Sequence, residues 1–98
     1  METSPRIEVL RRDTTLVFAG PLTFATATQA IDLALPLLPA AEAIDLAGVT
    51  QGDSAGLAVL IECLKRAPGK RLALREAPPQ LRALAAASGL ASIFEPAR

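Results

Sequence analysis

Asp53 and Ser54 put a carboxylate and a hydroxyl side by side in Gly52-Asp53-Ser54-Ala55-Gly56-Leu57, just after the apolar-rich stretch Ile44 to Val49. Both residue types are favoured helix N-caps. The apolar positions that follow, Leu57, Leu60, Ile61 and Leu64, fall at i, i+3, i+4 and i+7, the spacing of one helix face. The spacing predicts a buried strand in which Ile44 and Leu46 alternate with Asp45, a tight loop loosened by Gly48 and Gly52, and a helix whose mouth carries Asp53 and Ser54. Four backbone N–H groups without intrahelical partners and the positive end of the helix dipole converge at such a mouth. Two readings follow. In one, the pair only caps the helix. In the other, the helix entrance is a recognition or phosphorylation site, where the small residues Gly52, Ala55 and Ala58 allow a partner to approach closely and Gln51 adds a hydrogen bond at the rim.

Other reactive groups are scarce. The chain has no histidine, which removes the commonest general base and the commonest metal ligand. Its one cysteine, Cys63, cannot form an internal disulfide and falls inside the predicted helix, where it reads as small core filler and fits a reducing compartment. Asp45 and Asp53 lie at opposite ends of the predicted turn and are accounted for by fold and cap. No glycine loop of phosphate-cradling form is present. The expectation is a protein without catalytic residues, metal or cofactor, and not an enzyme. Ten basic residues balance ten acidic ones and only three residues are aromatic, so the electrostatic footprint of a nucleic-acid binder is missing. No stretch approaches the roughly 20 apolar residues of a membrane span, and Met1 to Arg6 is not followed by the apolar core of a signal peptide. The expected location is therefore the cytoplasm, with any membrane connection made through a partner.

The elements that must position Asp53 and Ser54 can be read in order. A chain of 98 residues, half of them hydrophobic, makes one domain, able to bury roughly 60–65% of the surface its unfolded form exposes. Ile7 to Leu10 reads as a first strand ending in an Arg11-Arg12-Asp13 turn, and Thr14 to Ala19 as a second, stopped by Gly20-Pro21. Thr23 is placed to cap a helix from Phe24 to Leu35 with an apolar stripe of Phe24, Ala27, Ile31 and Leu35, stopped by Pro36 and Pro39, with Leu37-Leu38 tucked under it. Beyond the central unit, Ala67 to Lys70 breaks the chain, and Arg71 to Arg75 is a strand with Leu72 and Leu74 on one face. Pro78-Pro79 opens a third helix with Leu81, Leu84 and Ala85 inward and Gly89 as its C-cap, and Leu90, Ile93 and Phe94 form a last strand or docking turn. Right-handed crossovers in this order give an α/β domain: a mixed open sheet of four or five strands, an N-terminal hairpin, and helices mainly on one face.

Three segments together resemble a known family. Ile44-Asp45-Leu46-Ala47 followed by Asp53-Ser54-Ala55-Gly56-Leu57 is similar to the signature of STAS domains, an apolar-Asp-Leu-small strand and then Asp-Ser/Thr-x-Gly-Leu opening a helix. The segment Gly20 to Ala27 and the positions Leu81, Leu84, Ala85, Gly89, Leu90 and Ile93 resemble the MlaB-type branch, although Arg75-Glu76-Ala77 and Ala87-Ser88 depart from its commoner form. The resemblance spans residues 7–94 of a single domain occupying residues 1–98. It implies a non-catalytic subunit that binds the cytoplasmic ATPase of a phospholipid-trafficking ABC transporter, peripheral to the inner membrane through that partner. Ser54 matches the family's Ser/Thr position at the helix mouth, and with the neighbours singled out above the candidate docking residues are Gln51, Gly52, Asp53, Ser54, Ala55 and Ala58. The other branch of the family implies an anti-sigma factor antagonist whose Ser54 is phosphorylated by a partner kinase.

Overall fold

The strand leading to Asp53 is longer than its apolar run predicts. In the computed structural model, which describes residues 4–67 and 72–95, this strand runs from Ala43 to Gly52. The expected tight loop at Gly48 is absent, because Gly48 lies within the strand and lets it run close to its neighbour. A Cβ there would sit 2.9 Å from the Phe18 carbonyl oxygen.

The elements are β1 (Glu8–Arg12), β2 (Thr15–Leu22), α1 (Ala27–Ala34), β3 (Ala43–Gly52), α2 (Ser54–Lys65), β4 (Ala73–Arg75) and α3 (Pro79–Ala87), with 3₁₀ turns at Leu35–Ala40 and Ala91–Ile93. The sheet has the order β1-β2-β3-β4. The first pair is antiparallel and the next two pairs are parallel. The mixed four-stranded sheet, its hairpin and its three helices agree with the expected architecture. The last apolar patch is a docking turn: Phe94 makes a single bridge to Leu74 and is buried.

Several boundaries move, each for a local reason. The hairpin turns at Asp13-Thr14 rather than Arg11 to Asp13. Asp13 takes φ 52°, the positive φ a two-residue hairpin loop uses at its first position. β2 continues through Gly20-Pro21 to Leu22 because the missing proline donor falls at a register irregularity between Gly20 and Pro21. α3 begins at Pro79 and ends with Gly89 at φ 74°, as its composition predicts. The expected chain break at 67–70 and the first residue of the expected strand, Arg71, lie outside the described residues apart from Ala67, which is buried.

The core lies between the helices and one face of the sheet. Leu16, Phe18 and Leu22 from β2, Ile44 and Leu46 from β3, and Leu74 from β4 are fully buried with Leu60, Cys63 and Leu81 from the helices. The alternate positions Leu10, Thr15, Val17, Asp45 and Ala47 are half-buried or exposed, the pattern of a sheet covered on one side. α2 packs against α1, α3 and β3. Its buried face is accordingly wider than one stripe: Gly56, Leu57, Val59, Leu60 and Cys63 are buried, while Ile61 and Leu64 are half-buried.

Candidate functional site at the entrance of α2

Asp53 caps α2 from extended backbone, φ −135° and ψ −171°. One carboxylate oxygen, Oδ1, accepts the Gly56 N–H at 2.9 Å, the expected cap bond. The other, Oδ2, accepts the N–H of Phe24 in the β2–α1 connection at 3.0 Å. Burial pushes the Asp53 carboxyl up, but the N–H groups of Gly56, Phe24 and Ala55 outweigh it and hold the group below the ordinary aspartate value of 3.8. Asp53 is therefore an engaged strut that clamps two helix entrances together, with both oxygens used inside the molecule.

Ser54, one residue on, is exposed. Among the described residues its hydroxyl has no hydrogen-bond partner. The difference from Asp53 is positional. The N-cap side chain folds back over the first turn, whereas the next side chain points away from it.

Gly56 explains the glycine of the Asp-Ser-Ala-Gly-Leu run. α2 crosses β2 so closely that a Cβ on Gly56 would fall inside the backbone carbonyl of Leu22. Gly52, the last residue of β3, donates its N–H to Gln80 Oε1 at 3.1 Å and lies against the Leu81 side chain. Gln51 and Ala58 are exposed and Ala55 is half-buried. The structure thus brings all six candidate residues to one end of β3 and the first turns of α2, but with different duties. Gly52 and Asp53 hold the framework, whereas Gln51, Ser54, Ala55 and Ala58 face outward.

The entrance of α1 departs from expectation. The helix starts at Ala27 with Thr26 as N-cap, not at Phe24 with Thr23. Thr26 is the buried polar residue of the described core, 1% exposed. Its hydroxyl donates to the Pro21 carbonyl at 2.8 Å and accepts the Thr23 N–H at 3.0 Å, and the Thr26 N–H returns to the Thr23 carbonyl at 3.0 Å. That turn, with Asp53 holding the Phe24 N–H, rotates the Phe24 ring out of the predicted apolar stripe to 85% exposure. Phe24, in the β2–α1 connection, then borders a shallow apolar groove between α1 and α2, about 410 Å³ in volume, lined also by Ala27 and Ile31 from α1 and by Ala55, Ala58 and Glu62 from α2. Ser54 stands beside it in sequence. Phe24 is the surface residue that sequence reasoning misassigned, whereas Ile31 is half-buried against the core as its stripe position predicts. The signal was faint: Thr26-x-x-Gln29 has the spacing of a capping box. Gln29, however, uses its Oε1 to accept the Ile7 N–H at 3.1 Å instead.

Cys63 is buried, and burial, followed by the neighbouring Glu62 carboxylate, pushes its thiol up to about 11. It stays a protonated core side chain at neutral pH. Among the described residues no group of three or more histidines, cysteines and carboxylates is arranged to hold a metal, and no helix is long and apolar enough to cross a membrane.

Comparison with known proteins agrees with the fold. A family model described as "Mlab, STAS domain" matches residues 7–95. The chain belongs to the STAS domain family, a family of protein-interaction domains. Among solved structures, it is similar to the anti-sigma factor antagonist SpoIIAA in its unphosphorylated form, with 18% identity, a TM-score of 0.72, and coverage of 94% of this chain and 88% of that one. A Thermotoga maritima protein provisionally assigned as an anti-sigma factor antagonist gives 17% identity, a TM-score of 0.71, and coverage of 92% and 86%. The phosphorylated form of the Bacillus cell fate determinant SpoIIAA gives 20% identity, a TM-score of 0.63, and coverage of 94% and 91%. At these identities the likeness is one of fold. No curated protein sequence matches the chain.

Proposed function

We propose that this protein is a non-catalytic interaction subunit of the MlaB type, which binds and supports the cytoplasmic ATPase of an ABC transporter for phospholipid trafficking. Docking uses the entrance of α2. The observation that carries the reading is the contrast within the Asp53-Ser54 pair: one side chain is fully engaged in holding the framework, and the other is exposed, without a partner among the described residues, next to an apolar groove. The Mlab description of the matching family model supports the transporter branch. Gln51, Ser54, Ala55 and Ala58 supply the contact surface, with Gly52 and Asp53 fixing its shape. Phe24 is the anchor to add, since exposed aromatics that enter a partner's pocket carry a large share of interface energy.

Co-purification of the tagged protein with its chromosomal neighbours tests this. Recovery of a membrane-bound ATPase is the expected result, and Phe24→Glu and Ser54→Glu should each weaken it about tenfold or more while the thermal unfolding curve barely moves. Recovery undiminished in both variants would sink the docking site.

A second reading has its own observation. Ser54 is exposed at the first position of a helix, and one similar structure is a phosphorylated anti-sigma factor antagonist. Phosphorylation of Ser54 would add about −1.5 to −2 charges. The helix dipole favours that charge, but the adjacent Asp53 carboxylate and a desolvated interface oppose it. The fold survives and the complex weakens. Recovery of a sigma-regulating kinase in place of the ATPase would transfer the function to this branch.

A further inference from the structure

The three exposed large hydrophobic side chains among the described residues are Phe24, Leu10 and Leu33. Phe24 belongs to the α2 entrance. Leu10, at 55% exposure on the open face of the sheet, and Leu33, at 39% on α1 on the covered face, both border a shallow edge groove that Val9 and Gln29 also line. That groove runs along β1, the edge strand of the sheet.

The backbone of β1 has one used side and one open side. Its two-residue loop closes on the Arg12–Thr15 pair, and the register is unbroken back to Glu8–Ala19. In an antiparallel ladder hydrogen-bonded pairs alternate with non-bonded ones. Arg12, Leu10 and Glu8 therefore turn their backbone groups toward β2, and Val9 and Arg11 turn theirs outward. The next outward N–H, that of Ile7, confirms the alternation, since it is taken by the Gln29 side chain at 3.1 Å. Val9 and Arg11 leave two donors and two acceptors along the edge. Natural edges of this kind are either blunted or used.

The sequence of β1, Glu8-Val9-Leu10-Arg11-Arg12, is complementary to its own reverse. We propose that β1 pairs antiparallel with β1 of a second copy about a two-fold axis through Leu10, joining two four-stranded sheets into one of eight. In that register Val9 faces Arg11 of the other copy as a hydrogen-bonded pair, twice, which satisfies the two donors and two acceptors of each edge. Leu10 faces its own counterpart as a non-bonded pair, where side chains approach most closely. Glu8 faces Arg12, again twice, on the same side of the sheet as Leu10. Opposite charges directly across a strand pair are stabilising and like charges are not. No other register of β1 on itself places both carboxylates against arginines and the two exposed leucines together. This interface uses none of the residues at the α2 entrance.

Sedimentation equilibrium on the wild-type chain and on charge variants decides the matter. Glu8→Arg sets two arginines against two arginines, and Arg12→Glu sets carboxylates against carboxylates. Each should weaken dimerisation about tenfold or more, and the double variant Glu8→Arg/Arg12→Glu should restore it to within about threefold of wild type. Leu10→Asp should abolish it. In hydrogen exchange the Val9 and Arg11 amides should slow on dimerisation while the Ile7 amide changes little. All these positions are exposed, or read out by backbone exchange, and circular dichroism checks that each variant is folded. A chain that stays monomeric at its highest soluble concentration overturns the proposal and leaves the edge to a strand of another protein or to solvent. A dimer indifferent to the charge swap, or one whose Val9 and Arg11 amides exchange as in the monomer, overturns it as well.

Discussion

Thr26 and Ser54 are both hydroxyl residues at the start of a helix, and the two helices are neighbours bridged by the Asp53–Phe24 hydrogen bond. Thr26 is 1% exposed and its hydroxyl both donates and accepts inside the β2–α1 turn. Ser54 is exposed and its hydroxyl is idle among the described residues. Residue type does not separate these roles. What separates them is whether the side chain stands at the N-cap, folded back on the framework, or one position later, turned outward. The comparison divides the region into a rigid frame of Thr26, Asp53 and Gly56, and a presented face of Ser54 and Phe24. Substitutions in the frame should cost stability, and substitutions in the face should cost binding.

The strongest test of the frame is Gly56→Ala. The added methyl meets the Leu22 backbone carbonyl, which cannot yield as a side-chain tip would. Overpacking of this sort costs about 3 kcal/mol or more when the obstacle is backbone. For a domain of this size a loss of that scale lowers Tm by roughly 12–24 °C, measurable by calorimetry. An unchanged Tm would mean α2 can lift off β2 at little cost, and the frame would then be no frame.

Thr26→Val comes next. The shape is kept, but the Thr23 N–H and the Pro21 carbonyl lose their partner in a half-buried turn. The expected loss is about 2–3 kcal/mol by urea unfolding, from the desolvation cost of the stranded groups. The variant should also blur the position of Phe24, so partner binding should fall along with stability.

Asp53 links the two halves, and its effect depends on pH. Replacing an aspartate N-cap by alanine costs about 1–2 kcal/mol. The folded-state carboxyl is held below the ordinary 3.8, so its contribution is fully present above that value and is lost as pH falls through the lower folded value. Wild type and Asp53→Asn should therefore differ most near neutrality and converge in strong acid, a comparison readable from urea midpoints at several pH values. A constant difference between the two would assign the stability of the cap to something other than ionisation.

How much of this was legible beforehand follows the range of the interactions. The cap at Asp53, the glycine stop of α3 at Gly89 and the prolines that end α1 are decided by neighbours a few residues away, and sequence reading placed them. The inward faces of β3 at Ile44 and Leu46 and of β4 at Leu74 followed from period-two alternation. Phe24 was misplaced because the bond that turns it outward comes from Asp53, 29 residues later. Hydrophobicity and helical spacing both put it in the core. The α1–α2 groove was invisible for the same reason, since it exists only once two helices pack side by side on the sheet. The length of β3 was underestimated because Gly48 and Gly52 read locally as loop residues. Their purpose is close approach, to β2 at Gly48 and to Leu81 at Gly52.

The smallest stability effect should come from Ser54→Ala, and it is the sharpest test of the presented face. An exposed hydroxyl without partners contributes little to folding, so the change in unfolding free energy should stay within about 0.5 kcal/mol. Alanine is also a better helix former than serine, which offsets what little is lost. Partner binding should still weaken in Ser54→Ala if the hydroxyl makes a hydrogen bond across the interface, and more in Ser54→Glu, where a charge is desolvated. The order wild type, Ser54→Ala, Ser54→Glu in affinity, with all three unfolding together, separates presentation from support. A Ser54→Ala variant that loses stability on the scale of Asp53→Ala would instead place the serine in the frame beside Thr26, and the division between the two hydroxyls would dissolve.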